Sequence, residues 1–384
     1  MAQSPFSILL IFLRLGCTCF GGPVAHLGYF RAEFVEKRKW LTERAYGDLV
    51  ALSQFLPGPA SSQTGFGIGL MRGGLLGGLA AWTGFTLPSA VLMVLFAFGA
   101  GRVGDSVAGA GVLHGLKLVA VAIVAQAVLG MARSLCPDRV RASIATVALV
   151  VMLLAPWPAL QIGTIVAGGV AGWLLCGREE GTAADGFAMP VSRTFGAVCL
   201  VLFFGLLGLA FVPVGPLALF DAFYRSGALV FGGGHVVLPL LRDAVVVPGW
   251  VPDGAFLAGY GAAQAVPGPL FTFAAYLGAV VGGVPGAVVA LVGIFVPGIL
   301  CLLGTLPFWH GLRAEGWAQA AMRGTNAAVV GVLGAALYNP VWTSAVMGAA
   351  DFAAVAVGFV LLVVWKAPPL LVVGLGALAG VAVG

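Results

Sequence analysis

The residues with chemistry to offer come as matched pairs. Arg14-Leu-Gly-Cys-Thr-Cys-Phe-Gly-Gly22 recurs as Arg225-Ser-Gly-Ala-Leu-Val-Phe-Gly-Gly233, and Gln54-Phe-Leu-Pro-Gly-Pro59 recurs as Gln264-Ala-Val-Pro-Gly-Pro269. Proline lacks a backbone donor and clashes with the preceding turn, so Pro57-Gly58-Pro59 and Pro267-Gly268-Pro269 should break the apolar segments that hold them. A helix that restarts after such a break points free N–H groups and its positive dipole end at whatever lies there, which suits an anion. Ser61, Ser62, Gln63 and Thr64 follow the first break, whereas the second leaves only Thr272, so the first copy reads as the richer cradle. Gly21 and Gly22 before Pro23, and Gly232 and Gly233 before Gly234, form a second pair of breaks.

Arg14 and Arg225 lead into those glycines, and an arginine at mid-membrane costs roughly 2.5–3.5 kcal/mol on insertion scales. Either they bind an anion, or Arg14 snorkels to an interface and Arg225 pairs with Asp221 one turn away. Lys117 and Arg323 form a third cationic pair, as pathway groups or interfacial anchors. His26 and His235 flank the glycine breaks, as structural hydrogen-bonding groups or as proton carriers. Asp48 and Asp221 are acids within apolar stretches, while Glu33, Glu36 and Glu43 share a basic loop and read as solvated. A cation carrier needs buried acids; this inventory of cations, amides, hydroxyls and broken helix ends favours an anion. A tetrahedral dianion fits best, because several N–H and guanidinium donors can converge on its oxygens.

These residues sit in an unusually apolar chain. Of 384 residues 60% are hydrophobic and 9% charged, against about 25% charged in a soluble domain, so much of the exterior must face lipid. Thirteen apolar segments are expected, at 5–25, 46–71, 74–100, 107–131, 141–156, 158–176, 193–213, 216–237, 255–280, 285–308, 320–338, 346–365 and 368–384. Alternating-polarity strands are missing, so the fold is read as an all-α integral membrane protein. The N-terminal segment has no basic leader and is interrupted by Arg14, so it reads as a retained first helix. The net charge of +5 lies in short loops rather than along a stripe, which argues against nucleic acid. Cys17, Cys19, Cys136, Cys176, Cys199 and Cys301 form no CxxC pair, and most read as small buried apolar groups. No metal or cofactor is expected.

The repeat extends beyond the motifs. Trp40 matches Trp250, Gly73, Gly74, Gly77 and Pro88 match Gly282, Gly283, Gly286 and Pro297, and Lys117 falls opposite Arg323. The expected organisation is a first repeat at 1–176, a linker with one extra transmembrane helix at 177–214, and a second repeat at 215–384. Six segments plus one would invert the second half relative to the first, the design of many secondary transporters. The basic first loop (Arg31, Lys37, Arg38, Lys39, Arg44) marks the cytoplasmic side. Arg133, Arg139 and Arg141 then fall on the wrong side if every segment crosses. Re-entrant Pro-Gly-Pro segments would move them inside, but make the halves parallel unless a further segment also fails to cross.

Phe20-Gly-Gly-Pro23, the basic stretch ending Lys39-Trp40-Leu41, and the two Pro-Gly-Pro motifs with Phe231 to His235 resemble the chromate ion transporter family in its long, two-domain form. The resemblance covers nearly the whole chain. It implies an inner-membrane exporter of chromate that confers chromate resistance, driven by membrane potential or a proton gradient, with the isosteric sulfate competing or carried. It also implies halves of opposite orientation. A sulfate or other oxyanion carrier is the rival within transport. A membrane-embedded enzyme is the rival class, but no P-loop, HExxH, nucleophile elbow or acidic metal cluster is present. A channel would need a continuous pore, whereas broken helices in a repeat favour alternating access. The sequence leaves oligomeric state open, and a homodimer is compatible with it.

Overall fold

The computed structural model describes residues 3–103, 107–155, 158–177, 191–212, 217–231 and 233–383. Gly232 and all of the linker's polar run lie outside them. Sixteen α-helices are described: α1 (Pro5–Thr18), α2 (Gly22–Phe30), α3 (Glu43–Phe55), α4 (Ala60–Val103), α5 (Val107–Leu135), α6 (Arg139–Leu154), α7 (Pro158–Leu175), α8 (Arg193–Leu209), α9 (Ala218–Ala228), α10 (Val237–Val245), α11 (Asp253–Ala263), α12 (Phe273–Thr305), α13 (Trp309–Ala314), α14 (Gly316–Ala336), α15 (Ala349–Val363) and α16 (Pro369–Val383). The expected all-helical class holds among the described residues. Four helical stretches, Ala60–Ala100, Ala108–Leu135, Leu270–Phe308 and Gly316–Trp342, are long and apolar enough to cross a membrane, and this is a multi-pass membrane protein. The linker's helix α8 has 17 residues, about 26 Å at 1.5 Å per residue. It packs on the second half, where Cys199 and Phe203 share a cluster with Tyr224, Cys301 and Leu302.

Two of the long stretches are not rods. Gly73 and Gly74 leave helical geometry inside α4, and Gly282 and Gly283 do so inside α12 with nearly the same angles; Gly74 and Gly283 both have φ +62°. That left-handed value is one that only glycine adopts cheaply. The chain reverses there: a Cβ on Gly69 would sit 2.3 Å from the Gly77 carbonyl oxygen, and one on Gly278 would sit 2.3 Å from that of Gly286. Residues eight apart in a straight helix would be about 12 Å apart. Each stretch is therefore a short arm (60–72, 273–281) and a long arm (75–103, 284–305) lying antiparallel.

The segments expected at 5–25 and 216–237 are also divided. Residues 3 and 40 both meet residue 72. Gln3 N–H donates to the Arg72 carbonyl over 3.0 Å, and the Arg72 guanidinium donates to the Trp40 carbonyl. Both ends of the α1–α2 pair thus lie at one end of the bundle. Phe12 of α1 stacks on Phe34 at 5.0 Å and meets Phe30 edge-on at 5.7 Å, holding the pair together. The first loop is shorter than expected, because residues 31–37 continue α2 as a π-helical turn. Its carboxylates are not merely solvated: Arg31 bonds Glu43 at 2.6 Å and Glu36 at 2.5 Å, and Arg38 bonds Glu33 at 2.6 Å. Arg31, Glu36 and Glu43 are about half exposed, so those pairs contribute little stability.

Candidate functional site

Four non-helical tips converge: residues 19–21 after α1, 56–59 after α3, 229–231 and 233 after α9, and 264–269 after α11. Each break interrupts the helical N–H ladder, and the freed groups need partners where water is excluded. The partners come from the other half. Gly58 N–H donates to the Val230 carbonyl over 2.8 Å, and Gly268 N–H donates to the Cys19 carbonyl over 2.9 Å. Val230 is the repeat counterpart of Cys19, and Gly268 that of Gly58, so the two bonds are the same bond made twice. The two glycines also take up equivalent crowding. A Cβ on Gly58 would lie 3.0 Å from Gly298 Cα, and one on Gly268 would lie 2.9 Å from Ser89 Oγ. Ser89 and Gly298 follow the matched prolines Pro88 and Pro297. Both Pro-Gly-Pro glycines need positive φ, +117° at Gly58 and +96° at Gly268.

The arms behind these tips lie side by side. A Cβ on Gly67 would meet Leu49 Cδ1 at 2.6 Å, and one on Gly259 would meet the Tyr276 ring at 2.2 Å. Each pair is spaced almost evenly about its Pro-Gly-Pro. Tyr276 hydroxyl donates to the Ala255 carbonyl at 2.9 Å, closing the second pair of arms.

Around the first tip the polar side chains are sealed in. Ser61, Ser62, Gln63 and Thr64 are each 5% exposed or less, and His26 is 1% exposed. Gln63 Nε2 donates to the carbonyls of Pro57 and Gly298, both at 2.9 Å, tying the first break to the second half. His26 Nδ1 lies 3.4 Å from Ser61 Oγ. Ser62 Oγ, Thr64 Oγ1, Trp82 Nε1, Thr86 Oγ1 and Gln264 Nε2 make no hydrogen bond to another protein group, and neither does the acceptor Gln63 Oε1. The first five can donate. A buried donor without a partner costs about 1–3 kcal/mol. A concentration of them beside two sets of broken helix ends is what a dehydrated anion requires.

The structure brings Pro57, Gly58, Pro59, Ser61, Ser62, Thr64, His26, Pro267, Gly268 and Pro269 into this region. Gly21 and Gly22 adopt positive φ at the first glycine break, and Gly233 does so at the second. Gln264 is half-buried, but Gln54, its counterpart, is exposed. Thr272 is internally satisfied, its hydroxyl donating to the Pro269 carbonyl at 2.8 Å. His235 Nδ1 pairs with the Tyr260 hydroxyl at 2.6 Å.

The cations lie elsewhere. Arg14 is exposed on α1, whose buried face is Ile8, Phe12, Leu15 and Gly16. Arg225 is half-buried with its guanidinium 5.6 Å over the Phe211 ring. Lys117 reaches Gly254, where a Cβ would lie 3.0 Å from Nζ. Arg323 lines a separate cleft at the ends of α6 and α7. Asp48 is buried on α3 and Asp221 half-buried on α9. Sequence reasoning missed Trp82, Thr86 and Ser89, polar positions within one apolar stretch of α4. It also missed the pair His114 and Asp351, whose Nε2 and Oδ1 are 2.8 Å apart between α5 and α15. Asp351, an acid inside an apolar helix, was the available signal.

A multi-pass helical bundle whose paired helix breaks meet around buried donors is the build of a membrane transport protein. The family model described as "Chromate transporter" matches residues 6–173 and 217–381, one match in each half. This chain belongs to that family. It is 31% identical over 373 residues to a chromate transport protein of Pseudomonas aeruginosa, covering 92% of this chain and 86% of that one. It is 28% identical to a probable chromate transport protein of Synechococcus elongatus, over 85% of this chain and 82% of the relative. It is 27% identical to a chromate transport protein of Cupriavidus metallidurans, over 85% and 80%. No solved structure gives a significant match.

Proposed function

We propose that the protein carries chromate across the cell's inner membrane at the meeting point of the two Pro-Gly-Pro tips, exporting it and so conferring resistance, energised by membrane potential or a proton gradient. The observation that carries the reading is the cluster of buried, unpartnered donors beside the reciprocal bonds from Gly58 to Val230 and from Gly268 to Cys19. Neutral donors and helix ends can replace the hydration of a tetrahedral dianion, and the relatives' names supply chromate as that dianion. The donors' burial fits a cycle in which the tips part to admit the ion and close over it. Arg14, Arg225, Lys117 and Arg323 would then act along the approach rather than at the centre. Purified protein in proteoliposomes is expected to move chromate, with sulfate competing, and an imposed pH gradient or potential to change the rate. Sulfate flux without chromate flux would overturn the substrate. No flux of either anion would overturn the transport reading.

The same reading includes an inverted repeat with re-entrant arms. Trp82 meets Phe295 at 5.6 Å, and Ala90 shares a cluster with Ala287, so the long arms of α4 and α12 run in opposite senses. The parity problem then has an answer. With 5–25 as well as 46–71 re-entering, four segments of the first half cross, and α8 makes five. An odd count inverts the second half. Arg133, Arg139 and Arg141 come to the same side as Lys37 to Lys39, which is cytoplasmic by the positive-inside rule. In a chain carrying Cys17→Ser and Cys136→Ser, cysteines replacing Lys37 and Arg139 should label with an impermeant maleimide from the cytoplasmic side only. Those replacing Val247 and Met347 should label from the opposite side only. Labelling of Arg139→Cys and Val247→Cys from one side would refute the inversion.

A further inference from the structure

The donors gathered at the tips include one group of the opposite kind. Gln63 is 1% exposed, and its Nε2 donates to the carbonyls of Pro57 and Gly298, both at 2.9 Å. A carboxamide has a donor end and an acceptor end. Two carbonyl partners settle which end is which, because an oxygen facing two oxygens would be repelled. The amide orientation is thus fixed, and Oε1 is left buried without a hydrogen bond.

Ser62 and Thr64 flank Gln63 in the chain, each with an unpartnered hydroxyl. Gly298, which takes one Gln63 bond, lies a turn of α12 beyond Phe295, and Phe295 meets Trp82 at 5.6 Å. Trp82 Nε1 is unpartnered too. An anion with bare oxygens satisfies these donors but sets a lone pair of its own against Oε1. A ligand that satisfies both kinds of group must accept several hydrogen bonds and donate one, which describes a protonated oxyanion. Charge points the same way. The gathered donors are neutral side chains, while Arg14 is exposed on α1 and the Arg225 guanidinium lies over Phe211. The cost of burying an ion rises with the square of its charge, so a monoanion costs roughly a quarter as much as a dianion.

We propose that the form bound at the tips is the singly protonated oxyanion, hydrogen chromate in the case of chromate, with its O–H donating to Gln63 Oε1. This rests on the reading of the tips as the chromate site and names the species that the site selects. Chromate's second proton dissociates near neutral pH, so the dianion and hydrogen chromate interconvert in water before entry, and no protein group need supply the proton. Hydrogen sulfate loses its proton in strong acid, so sulfate at neutral pH is a bare dianion. Shape cannot separate two tetrahedral ions, but an acceptor can. A site built to bond a ligand O–H keeps an unpaired buried group when that O–H is missing. Sulfate then competes only weakly. Each ion carried moves one negative charge, not two, and brings a proton with it.

The test is flux through the full chain in proteoliposomes, with equal pH on both sides and the potential clamped by potassium and valinomycin. Above chromate's second dissociation, KM in total chromate is expected to rise about tenfold per pH unit, the mass-action slope for a ligand bound with one proton. Expressed as hydrogen chromate, KM should stay constant. A titrating protein group could imitate that slope. Among the described residues, the histidines and acids on the elements packed against α4 are His26 of α2, Glu43 and Asp48 of α3, His114 of α5 and Asp253 of α11. Glu43, His114 and Asp253 are paired with Arg31, Asp351 and Arg242, and Arg14 and Lys117 are fixed cations. Inhibition by sulfate separates the cases, because sulfate keeps its charge over this range and its inhibition constant should stay flat. Where hydrogen chromate is abundant, the wild type should favour chromate over sulfate by at least about tenfold, and Gln63→Leu should narrow that to about twofold and flatten the slope. A KM constant in total chromate would overturn the proposal and leave the transport reading standing. So would a sulfate inhibition constant that rises in step with chromate's KM, or a folded Gln63→Leu that keeps the wild-type slope. The wild-type comparison decides alone if that variant fails to fold. Absence of any wild-type flux would instead sink the transport reading, and this proposal with it.

Discussion

Gly58→Val is expected to abolish chromate flux in proteoliposomes and to lower the chain's resistance to thermal unfolding. The backbone there sits at φ +117°, outside the regions a β-branched residue occupies, at a cost of order 1–3 kcal/mol. The added carbon would also start 3.0 Å from Gly298 Cα and 3.2 Å from Gln63 Nε2. Gly298 presents backbone that cannot rotate away, so overpacking adds about 1–3 kcal/mol more. Relief requires the first Pro-Gly-Pro tip to retreat. That breaks the Gly58 bond to Val230 and pulls Gln63 from the Gly298 carbonyl, uncoupling the halves where the donors gather. Gly268→Val should do the same by symmetry. Gly47→Ala is the control: it lies on exposed α3 surface with nothing within 4 Å of its added carbon, and should leave flux intact. Normal flux through Gly58→Val would remove the tip from the transport path.

Thr64→Val is expected to act on function and stability in opposite directions. Thr64 is fully buried, and its hydroxyl bonds no other protein group. Threonine and valine have nearly the same shape, so little packing is lost. Removing a desolvated, unpartnered hydroxyl recovers up to about 1–3 kcal/mol. Thermal unfolding should therefore hold steady or shift upward. If that hydroxyl binds the anion, chromate affinity should fall by roughly tenfold, the equivalent of about 1.4 kcal/mol for one hydrogen bond to a charged group. Ser62→Ala should behave alike. A structural role predicts the reverse pattern, lower stability with affinity unchanged, and that result would take Thr64 out of the site.

The class of the protein and the places of its helix breaks were legible in the sequence because they rest on local rules. Pro-Gly-Pro and paired glycines beside a further proline or glycine favour a break, so the positions of all four tips could be read directly, and so could the hydroxyl run after Pro59, whereas the single prolines Pro88 and Pro297 stay within helices. The scarcity of charge demanded lipid, and lipid demanded helices. The motif pairs, read at fixed offsets, matched the two stretches that the family model recognises.

Other features were decided only by tertiary structure. Whether 5–25 crosses or folds back depends on Gln3 and Trp40 meeting Arg72, a long-range contact with no local signature. Where the arginines lie was also left to the fold, because burial is a property of the helix face. Arg14 and Phe12 are two residues apart, yet one is exposed and the other fully buried. Trp82, Thr86 and Ser89 joined the site because a reversal at Gly73 and Gly74 lays the long arm of α4 along the tips.

The sequence by itself determined that this chain is a helical membrane protein with duplicated breaks rich in hydrogen-bond donors, since each of those traits follows from residue type and spacing. Only the tertiary structure decided that the breaks meet across the halves, through the Gly58 and Gly268 N–H groups on the Val230 and Cys19 carbonyls. The reason is physical: a broken helix states which backbone groups lack partners, but the groups that satisfy them lie some two hundred residues away and are chosen by packing.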